Sequence, residues 1–464
     1  FKKPAFLKRL TPSKRRSYYS TYGICLARSN NPEQAIPWAT KLLQSGKKAR
    51  DHGSVSQAYL LFGLAHQYID NPERAADFYS RCARYAKRHR VYFLVGHALH
   101  NLAMLKSHDE PAEAERLLEL SIVAKKKAGD EPGRVGALFG RGSLAITQRQ
   151  FASAVKWFGQ AEKLAAKWDM QHSRALALSN IGNAFVDLGK PREALPYYAK
   201  AMTIAEDEGY PDASAYAIGG SANAKLQLKR FRSAHDLFLR LKTVRTEMGE
   251  HEAAVIAHHD AGACLLMNKQ PDEARVLLTA AYEQAVHYAL PEWIYRCAKD
   301  IALTYKESGN VERSLRELRE LAKREEEAGR SWVAAKLWES VATVLHDQKG
   351  ESGQIEVAFE QAVRCLETSK EDLDELSRLI GGLYQHRWDA GHYDKAVDAL
   401  RTMEQVAKTS RNGEMQARAA DQIGMCLQQL GKVGEAVPYH RRALAIARRF
   451  PDTELAENCL NNLG

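Results

Sequence analysis

The chain has 464 residues, of which 45% are hydrophobic and 27% charged, and its formal net charge is +10. This apolar content excludes a disordered tail, and no run of about eighteen uncharged apolar residues exists to form a membrane span. The length suggests two to four domains at about 150 residues each. Only 14 prolines are present, which favours long helices over a sheet sandwich, and the positive charge favours an acidic partner.

The first sixteen residues form a basic segment that contains seven Lys and Arg residues and no acidic residue. They therefore carry most of the net charge and leave about three positive charges for the rest of the chain. No apolar stretch follows this segment, so it does not read as a secretory signal peptide. Because the chain begins at Phe1 and its last residues look like an unfinished helix, we expect a piece of a longer protein.

The seven cysteines are odd in number, widely spaced and without a C-x-x-C pair. This pattern predicts neither a zinc site nor a disulfide framework. Most of them stand among apolar helical positions, where a free cysteine behaves as a small hydrophobic residue, and a reducing compartment is expected. They are Cys25, Cys82, Cys264, Cys297, Cys365, Cys426 and Cys459.

The strongest signal is an internal repeat of about forty residues. One small residue recurs at this spacing, at Ala35, Ala75, Ala114, Ala154, Ala194, Ala234, Ala274, Ser314, Ala358, Ala396 and Ala436. A glycine recurs in the same way, at Gly23, Gly63, Gly142, Gly182, Gly262, Gly424 and Gly464. Each repeat carries two apolar stripes at i, i+3, i+4 and i+7, joined by a short turn, which predicts a pair of helices. The small residues are expected where two helices of a pair approach closely.

The spacing within one repeat resembles the tetratricopeptide repeat (TPR), as shown by Gly182, Phe185, Gly189, Ala194, Tyr198 and Ala201. The forty-residue period resembles kinesin light chain, the Leu-Gly-Asn repeat adaptors, ciliary dynein-docking subunits and sensor regions of bacterial signalling ATPases. The resemblance implies an all-α fold, a right-handed α-solenoid of about eleven helix pairs plus the start of a twelfth. The expected organisation is a basic leader (1–16), an array (17–452) and the first helix of a truncated repeat (453–464).

Two repeats depart from this pattern. In the ninth, residues 347–354 look like an insertion between the two helices. In the tenth, the first helix looks extended through Trp388. Either feature could be a tolerated loop, or it could mark a break in the array or a lateral contact.

The resemblance also implies that the first helix of each pair lines a concave groove. Asn183 and Asn223 stand at the slot whose asparagine, in the Leu-Gly-Asn adaptors, binds a ligand peptide, and Ser143 occupies the same slot. An amide can both donate to and accept from a peptide backbone. The alternative is that these amides hydrate the groove or bond to a neighbouring helix.

Further along the chain the groove slots become cationic and favour an acidic peptide. These residues are His259, Arg296, Lys299, Lys306 and Lys336. Glu307 and Glu339 lie among them, so pairing within the surface is the alternative interpretation.

Two basic clusters fall at the C-terminal ends of successive second helices. They are Arg81, Arg84, Lys87, Arg88 and Arg90, followed by Lys125, Lys126 and Lys127. Cations at such ends often complement the helix dipole. The functional interpretation is a basic edge for an acidic partner, such as an acidic filament or tubulin surface. Nucleic acid is less favoured, because only Tyr85 and Tyr92 supply aromatic rings there.

No catalytic constellation is apparent. The sequence lacks a H-E-x-x-H motif, a Walker-type phosphate loop and a G-x-S-x-G elbow. His97 and His100 share a helix face, but no third metal ligand is evident. We therefore expect no enzyme activity, no metal and no cofactor in these residues.

The leading hypothesis is a non-enzymatic scaffold or adaptor that binds proteins through its groove and basic edge. The resemblance favours a cytoplasmic protein of a cytoskeletal or ciliary (axonemal) assembly, within a larger complex. The alternative is the sensor arm of a signalling ATPase or transcription regulator whose catalytic domain lies outside this chain. A third hypothesis is an RNA-binding helical repeat, whose affinity for RNA would depend steeply on the salt concentration.

Overall fold

A computed structural model describes residues 10–29, 31–369, 372–449 and 453–463. These residues form α-helices joined by short turns, with one 3₁₀ turn at Pro32–Ala35 and no strand among them. The fold is therefore all-α, as the repeat predicts. The chain divides into two compact units, Phe1–Arg230 (the N-terminal unit) and Phe231–Gly464 (the C-terminal unit).

In the N-terminal unit, consecutive helices pack against one another as successive hairpins. Its helices are α1 (Pro12–Ala27), α2 (Ile36–Lys48), α3 (His52–Tyr68), α4 (Pro72–Arg88), α5 (Tyr92–Lys106), α6 (Pro111–Ala128), α7 (Glu131–Thr147), α8 (Phe151–Lys167), α9 (Gln171–Asp187), α10 (Pro191–Asp207) and α11 (Pro211–Gln227). The odd-numbered helices are the first members of the predicted pairs.

The C-terminal unit continues the same alternation of helices and short turns. Its helices are α12 (Phe231–Glu247), α13 (His251–Met267), α14 (Pro271–His287), α15 (Pro291–Glu307), α16 (Val311–Glu327), α17 (Ser331–Asp347), α18 (Ser352–Ser369), α19 (Leu373–Asp389), α20 (Tyr393–Thr409), α21 (Gly413–Gln429), α22 (Val433–Ala447) and α23 (Thr453–Asn461). Helix α23 lies in the segment predicted to start a twelfth repeat.

The recurring glycine permits close packing within a helix pair, as predicted. A Cβ built on Gly182 would lie 2.7 Å from the ring of Tyr198, sixteen residues later. The same clash, with the residue sixteen positions further on, arises at Gly63, Gly142, Gly262 and Gly424. A larger side chain at this slot would push the two helices of a pair apart.

The recurring alanine lies in the core. Ala194 is fully buried, and Tyr198 beside it is 1% exposed. All the other small residues of this slot are buried as well, from Ala35 to Ala436. Six of the seven cysteines are buried, and all seven are free thiols, which agrees with their prediction as small hydrophobic residues.

The two predicted irregular repeats are close to regular, so the insertion predicted at 347–354 and the predicted extension of the helix through Trp388 were wrong. Helix α17 ends at Asp347 and α18 begins at Ser352, which leaves a turn only one residue longer than that between α9 and α10. The turn closes in the usual way, because the amide of Gly350 donates to the carbonyl of Leu345. Helix α19 has 17 residues, the common length. The longer turn accounts for one of the four extra residues between Ser314 and Ala358, and the other three arise because Ser314 is the fourth residue of α16 and Ala358 the seventh of α18.

The predicted leader overlaps the first helix. Thr11 caps α1 by accepting a hydrogen bond from the amide of Lys14, and Pro12 occupies the first turn, where its missing N–H is harmless. Residues 12–16 therefore belong to α1 rather than to a separate leader. Arg16 pairs with Asp51 at 2.9 Å. The other basic residues of the segment, Lys2, Lys3, Lys8 and Arg9, lie outside the described residues.

Candidate functional site

A cavity of about 590 Å³ opens between the first helices α7, α9 and α11 of the N-terminal unit. It is the place where the predicted amide pair comes together, since both Asn183 and Asn223 line it. The apolar part of the lining comes from Ile146, Val186 and Leu226. We call this the amide cavity; its full lining is Ile146, Asn180, Asn183, Val186, Asp187, Tyr198, Tyr216, Gly220, Asn223, Leu226 and Gln227.

Asn183 is held in place by two tyrosines. The hydroxyl of Tyr198 donates to its Oδ1 at 2.6 Å, and its Nδ2 donates to the hydroxyl of Tyr216 at 2.7 Å. Tyr216 in turn donates to Oδ1 of Asn180 at 3.2 Å, and Asn180 donates to the carbonyl of Leu176. The network fixes the orientation of the Asn183 amide. One N–H of Asn183 stays available in the cavity, because an amide has two.

Asn223 is exposed and makes no side-chain hydrogen bond within the described part of the chain. Gln227, one helical turn later, is exposed in the same cavity. Asp187 supplies a carboxylate at the rim, and it is the one ionisable acid among the lining residues. The cavity therefore offers amide donors and acceptors next to a single negative charge. This chemistry suits a neutral or basic peptide segment rather than an acidic one.

Ser143 is not part of this arrangement. It is exposed on α7 but does not line the amide cavity, and its carbonyl accepts a hydrogen bond from Thr147. The predicted asparagine slot thus yields two lining residues rather than three.

A second cavity, of about 410 Å³, lies between α15 and α17 in the C-terminal unit. It brings together three of the predicted cations, Lys299, Lys306 and Lys336. Acidic residues accompany them: Lys306 lies 3.8 Å from Asp347, and Lys336 pairs with both Glu339 and Glu375 at 3.1 Å. The surface therefore carries charges of both signs. Lys336 and Lys306 pair with acidic residues of the same surface, which is the alternative interpretation of the sequence.

His259 and Arg296 lie outside this second cavity. His259 is buried, and its ring lies 2.9 Å from Asp300 and 3.3 Å from Asp260. Burial alone would lower the pKa of His259, but the hydrogen bonds to the two carboxylates outweigh it and raise the pKa to about 9. Arg296 is exposed, but it pairs with Glu292 on its own helix. Neither residue offers a free cation to a ligand.

Most of the predicted basic edge is exposed at the ends of α4 and α6. Arg84, Lys87, Arg88 and Arg90 have no acidic partner among the described residues, and neither do Lys126 and Lys127. Lys127 lies over the ring of Tyr92 at 5.4 Å. Arg81, by contrast, pairs with Asp77 at 2.8 Å.

Lys125 does not belong to this edge, and its assignment there was wrong. It is 2% exposed, and its Nζ donates to the carbonyl of Gly133 at 2.9 Å. Burial lowers the pKa of Lys125 to about 8, although Asp130 opposes the shift. Its stem packs against Gly96, where a Cβ would lie 2.4 Å from Cγ of Lys125. The lysine fills space between helices instead of facing a partner.

The described residues give little support for metal binding or for a reactive nucleophile. No group of three or more His, Cys, Asp or Glu side chains in this part of the chain could hold a metal ion. Burial lowers the pKa of His100 to about 4, and His97 lies 3.1 Å from Asp130. Burial raises the pKa of the Cys82 thiol to about 12, so this sulfur is a poor nucleophile. Among the described helices, none combines the length and the apolar character that a bilayer crossing needs.

Comparison with known proteins agrees with this geometry. Residues 177–210 and 416–449 match models of the tetratricopeptide repeat. The apo form of RapI aligns over 77% of this chain and 98% of its own, at 11% identity and a TM-score of 0.51. A comparison with curated proteins finds no matching sequence.

Two further solved structures align less closely. Aspartyl phosphate phosphatase F from Bacillus subtilis covers 77% of this chain and 95% of its own, at 13% identity and a TM-score of 0.44. TPR-like repeats of a putative kinesin light chain from Podosopora anserina cover 42% and 98%, at 17% identity and a TM-score of 0.36. The first of the two matched segments, 177–210, holds Asn183 and most of α9 and α10. The two matched segments show that the chain carries tetratricopeptide repeats, and the described helices of each unit pack in succession as helix hairpins.

Proposed function

We propose that this chain is a protein-interaction scaffold that binds a peptide segment of its partner in the amide cavity. The observation that carries the proposal is the position of Asn183 and Asn223 in one cavity, the first oriented by two tyrosines and the second free to bond. An oriented amide costs less entropy when it binds a peptide backbone. The Asp187 carboxylate at the rim adds a preference for a neutral or basic segment.

A selection from a random peptide library displayed on phage, panned on the full chain, tests this proposal. We expect the recovered peptides to be poor in acidic residues. Their affinity should fall roughly tenfold or more for the double variant Asn223→Ala, Gln227→Ala, because two hydrogen bonds of about 1 kcal/mol each are lost. The matched control replaces two exposed amides elsewhere, Gln160→Ala and Asn458→Ala, and should bind like the wild type.

Asn183 is not a suitable test residue. Its removal leaves the hydroxyl of the buried Tyr198 without its acceptor, so Asn183→Ala destabilises the fold as well as the site. Peptides that bind the double variant as tightly as the wild type would contradict the proposal, because they must be held elsewhere.

We also propose a more specific cellular context: this chain is a non-enzymatic part of a cytoplasmic cytoskeletal or ciliary complex. The resemblance to kinesin light chain and docking subunits suggests it, and the exposed cations at the ends of α4 and α6 suit an acidic filament surface. Co-sedimentation with microtubules, before and after proteolytic removal of their acidic tubulin tails, tests it. Binding should depend on the tails and fall with added salt. Absence of co-sedimentation at low salt would contradict this setting and leave the peptide-binding proposal intact.

A further inference from the structure

A lysine occupies the same position at the ends of four successive second helices in the N-terminal unit. Lys47, Lys87, Lys127 and Lys167 are spaced by forty residues each, which is the repeat length. Each is the last or the penultimate residue of its helix, α2, α4, α6 or α8. All four are exposed. We call these four residues the lysine ladder.

The ladder has more cations around it than acids to neutralise it. Its exposed neighbours at the same helix ends are Lys48, Arg50, Arg84, Arg88, Arg90 and Lys126. None of the four ladder lysines has an acidic partner among the described residues. The carboxylates at this edge are engaged elsewhere: Asp51 with Arg16 and Ser54, Asp130 with the Gly133 amide and near His97, Glu131 with Arg134, and Asp169 with Gln171.

The helix dipole does not explain this pattern by itself. Cations at every helix end would be expected if the dipole were the reason. Instead α10 ends in three acidic residues, 206–208, at the positions that follow the ladder in the next repeat. Helix α16 likewise ends in three glutamates, 325–327. Helix α20 also carries a lysine at this position, Lys408, but that residue pairs with Glu404 at 3.1 Å, whereas the four ladder lysines have no acidic partner among the described residues.

Two further cations of this edge lie in turns with a left-handed backbone conformation. Arg50 and Arg90 have φ of 51° and 60°, in the left-handed region, just after α2 and α4. The same place holds Asp169 after α8, Ala289 after α14 and Arg411 after α20, and it holds glycine after α10, α12 and α16. Arginine is strained in this conformation and glycine is not. Two of the four ladder repeats therefore carry an additional cation at a position that glycine would fill with less strain.

We propose that the lysine ladder and its neighbouring cations form a docking surface for an acidic polypeptide segment, rich in Glu or Asp, of a partner protein. The proposal deepens the scaffold role and rests on it for the expectation that the partner is a protein. It is separate from the amide cavity, which suits a neutral or basic segment. Some rings near the ladder are engaged within the chain: His52 stacks on His89 at 3.7 Å, and Tyr92 lies under Lys127. Phe93 and Trp168 are exposed near this edge, so the preference for a polypeptide over a nucleic acid rests on the scaffold role.

The first test measures binding of a fluorescein-labelled peptide of twelve glutamates to the full chain by fluorescence anisotropy. The ladder variant replaces Lys47, Lys87, Lys127 and Lys167 with Gln. We expect it to bind roughly tenfold more weakly or worse at low salt, because four exposed ion pairs are lost. The matched control makes the same charge change at exposed lysines in turns between helices, Lys190→Gln, Lys229→Gln, Lys349→Gln and Lys432→Gln. It should keep most of the affinity.

A second variant separates binding from folding. Arg50→Gly with Arg90→Gly removes two charges while relieving backbone strain, so it should melt no lower than the wild type and still bind the glutamate peptide more weakly. When its melting temperature is not lowered, a loss of affinity in this variant reports the two lost charges and not misfolding.

Three outcomes would overturn the proposal. The glutamate peptide does not bind the wild type at low salt; the ladder and control variants lose affinity equally; or a labelled twelve-nucleotide oligothymidine binds the ladder more tightly than the peptide does. In the last case the surface serves nucleic acid instead. Peptides selected on the amide cavity should bind the ladder variant normally, so failure of the ladder leaves the scaffold proposal standing.

Discussion

The buried amine of Lys125 is a local cost to the stability of the N-terminal unit. Its pKa of about 8 in the folded chain lies below the usual value, so the folded state penalises the charged form. Replacement by an apolar side chain of similar shape removes that penalty. We expect Lys125→Met to raise the free energy of unfolding at pH 7 by about 1–3 kcal/mol.

The sign of the pH dependence follows from the same shift. Below pH 8 the lysine is charged in both states and the penalty is present. Between pH 8 and about 10.4 the unfolded chain binds the proton and the folded chain does not, so wild-type stability rises relative to the variant. Thermal melting at pH 7 and pH 10 should show the advantage of Lys125→Met shrinking. The exposed neighbour Lys126→Met is the control, and an equal effect of both would contradict the argument.

The burial of Lys125 was missed in the sequence although a signal for it exists. Ala165, Ala205 and Ala285 lie forty, eighty and one hundred and sixty residues after it, and all are buried. Glu325 occupies the same slot and is also fully buried, with the hydroxyl of Tyr282 donating to it. The charge of Lys125 suggested an exposed position. The forty-residue register instead aligns it with buried residues of the core. Its carbonyl acceptor on Gly133 could not be read from the sequence, because it comes from the next helix.

At the scale of a helix pair, the glycine slot decides how closely the two helices approach. Gly182→Ala would place a methyl group 2.7 Å from the buried ring of Tyr198, and we expect a loss of about 1–3 kcal/mol. Gly136, in α7, has nothing within 4 Å of its built Cβ. There alanine only improves helix propensity, so Gly136→Ala should gain up to about 1 kcal/mol. Chemical denaturation of both variants checks the contrast, and equal losses would refute the packing explanation.

The helix pairs themselves were predictable because the forty-residue register repeats the same apolar stripe in each pair. The partners of single side chains were not. Asn183 was predicted either to bind a ligand peptide or to hydrate the groove or bond to a neighbouring helix, and two tyrosines from neighbouring helices hold it. Asn223 at the same slot makes no side-chain hydrogen bond within the described part of the chain. The difference comes from the two tyrosine hydroxyls, because Phe238 and Ile256 stand forty residues after Tyr198 and Tyr216. Sequence periodicity predicts what the repeats share, and the candidate site depends on where they differ.

At the scale of the whole chain, a repeat array has only neighbour interfaces, so damage should stay local. Gly262→Ala tests this in the C-terminal unit, because its methyl group would lie 2.8 Å from Leu278. We expect faster amide hydrogen exchange in α13, α14 and the helices next to them, with protection unchanged in α3 to α6. Gly434→Ala, with open space around the new methyl group, is the control. A uniform rise in amide exchange along the chain would show that the repeats unfold together. The stability of the chain could then not be written as a sum of interfaces between neighbouring repeats.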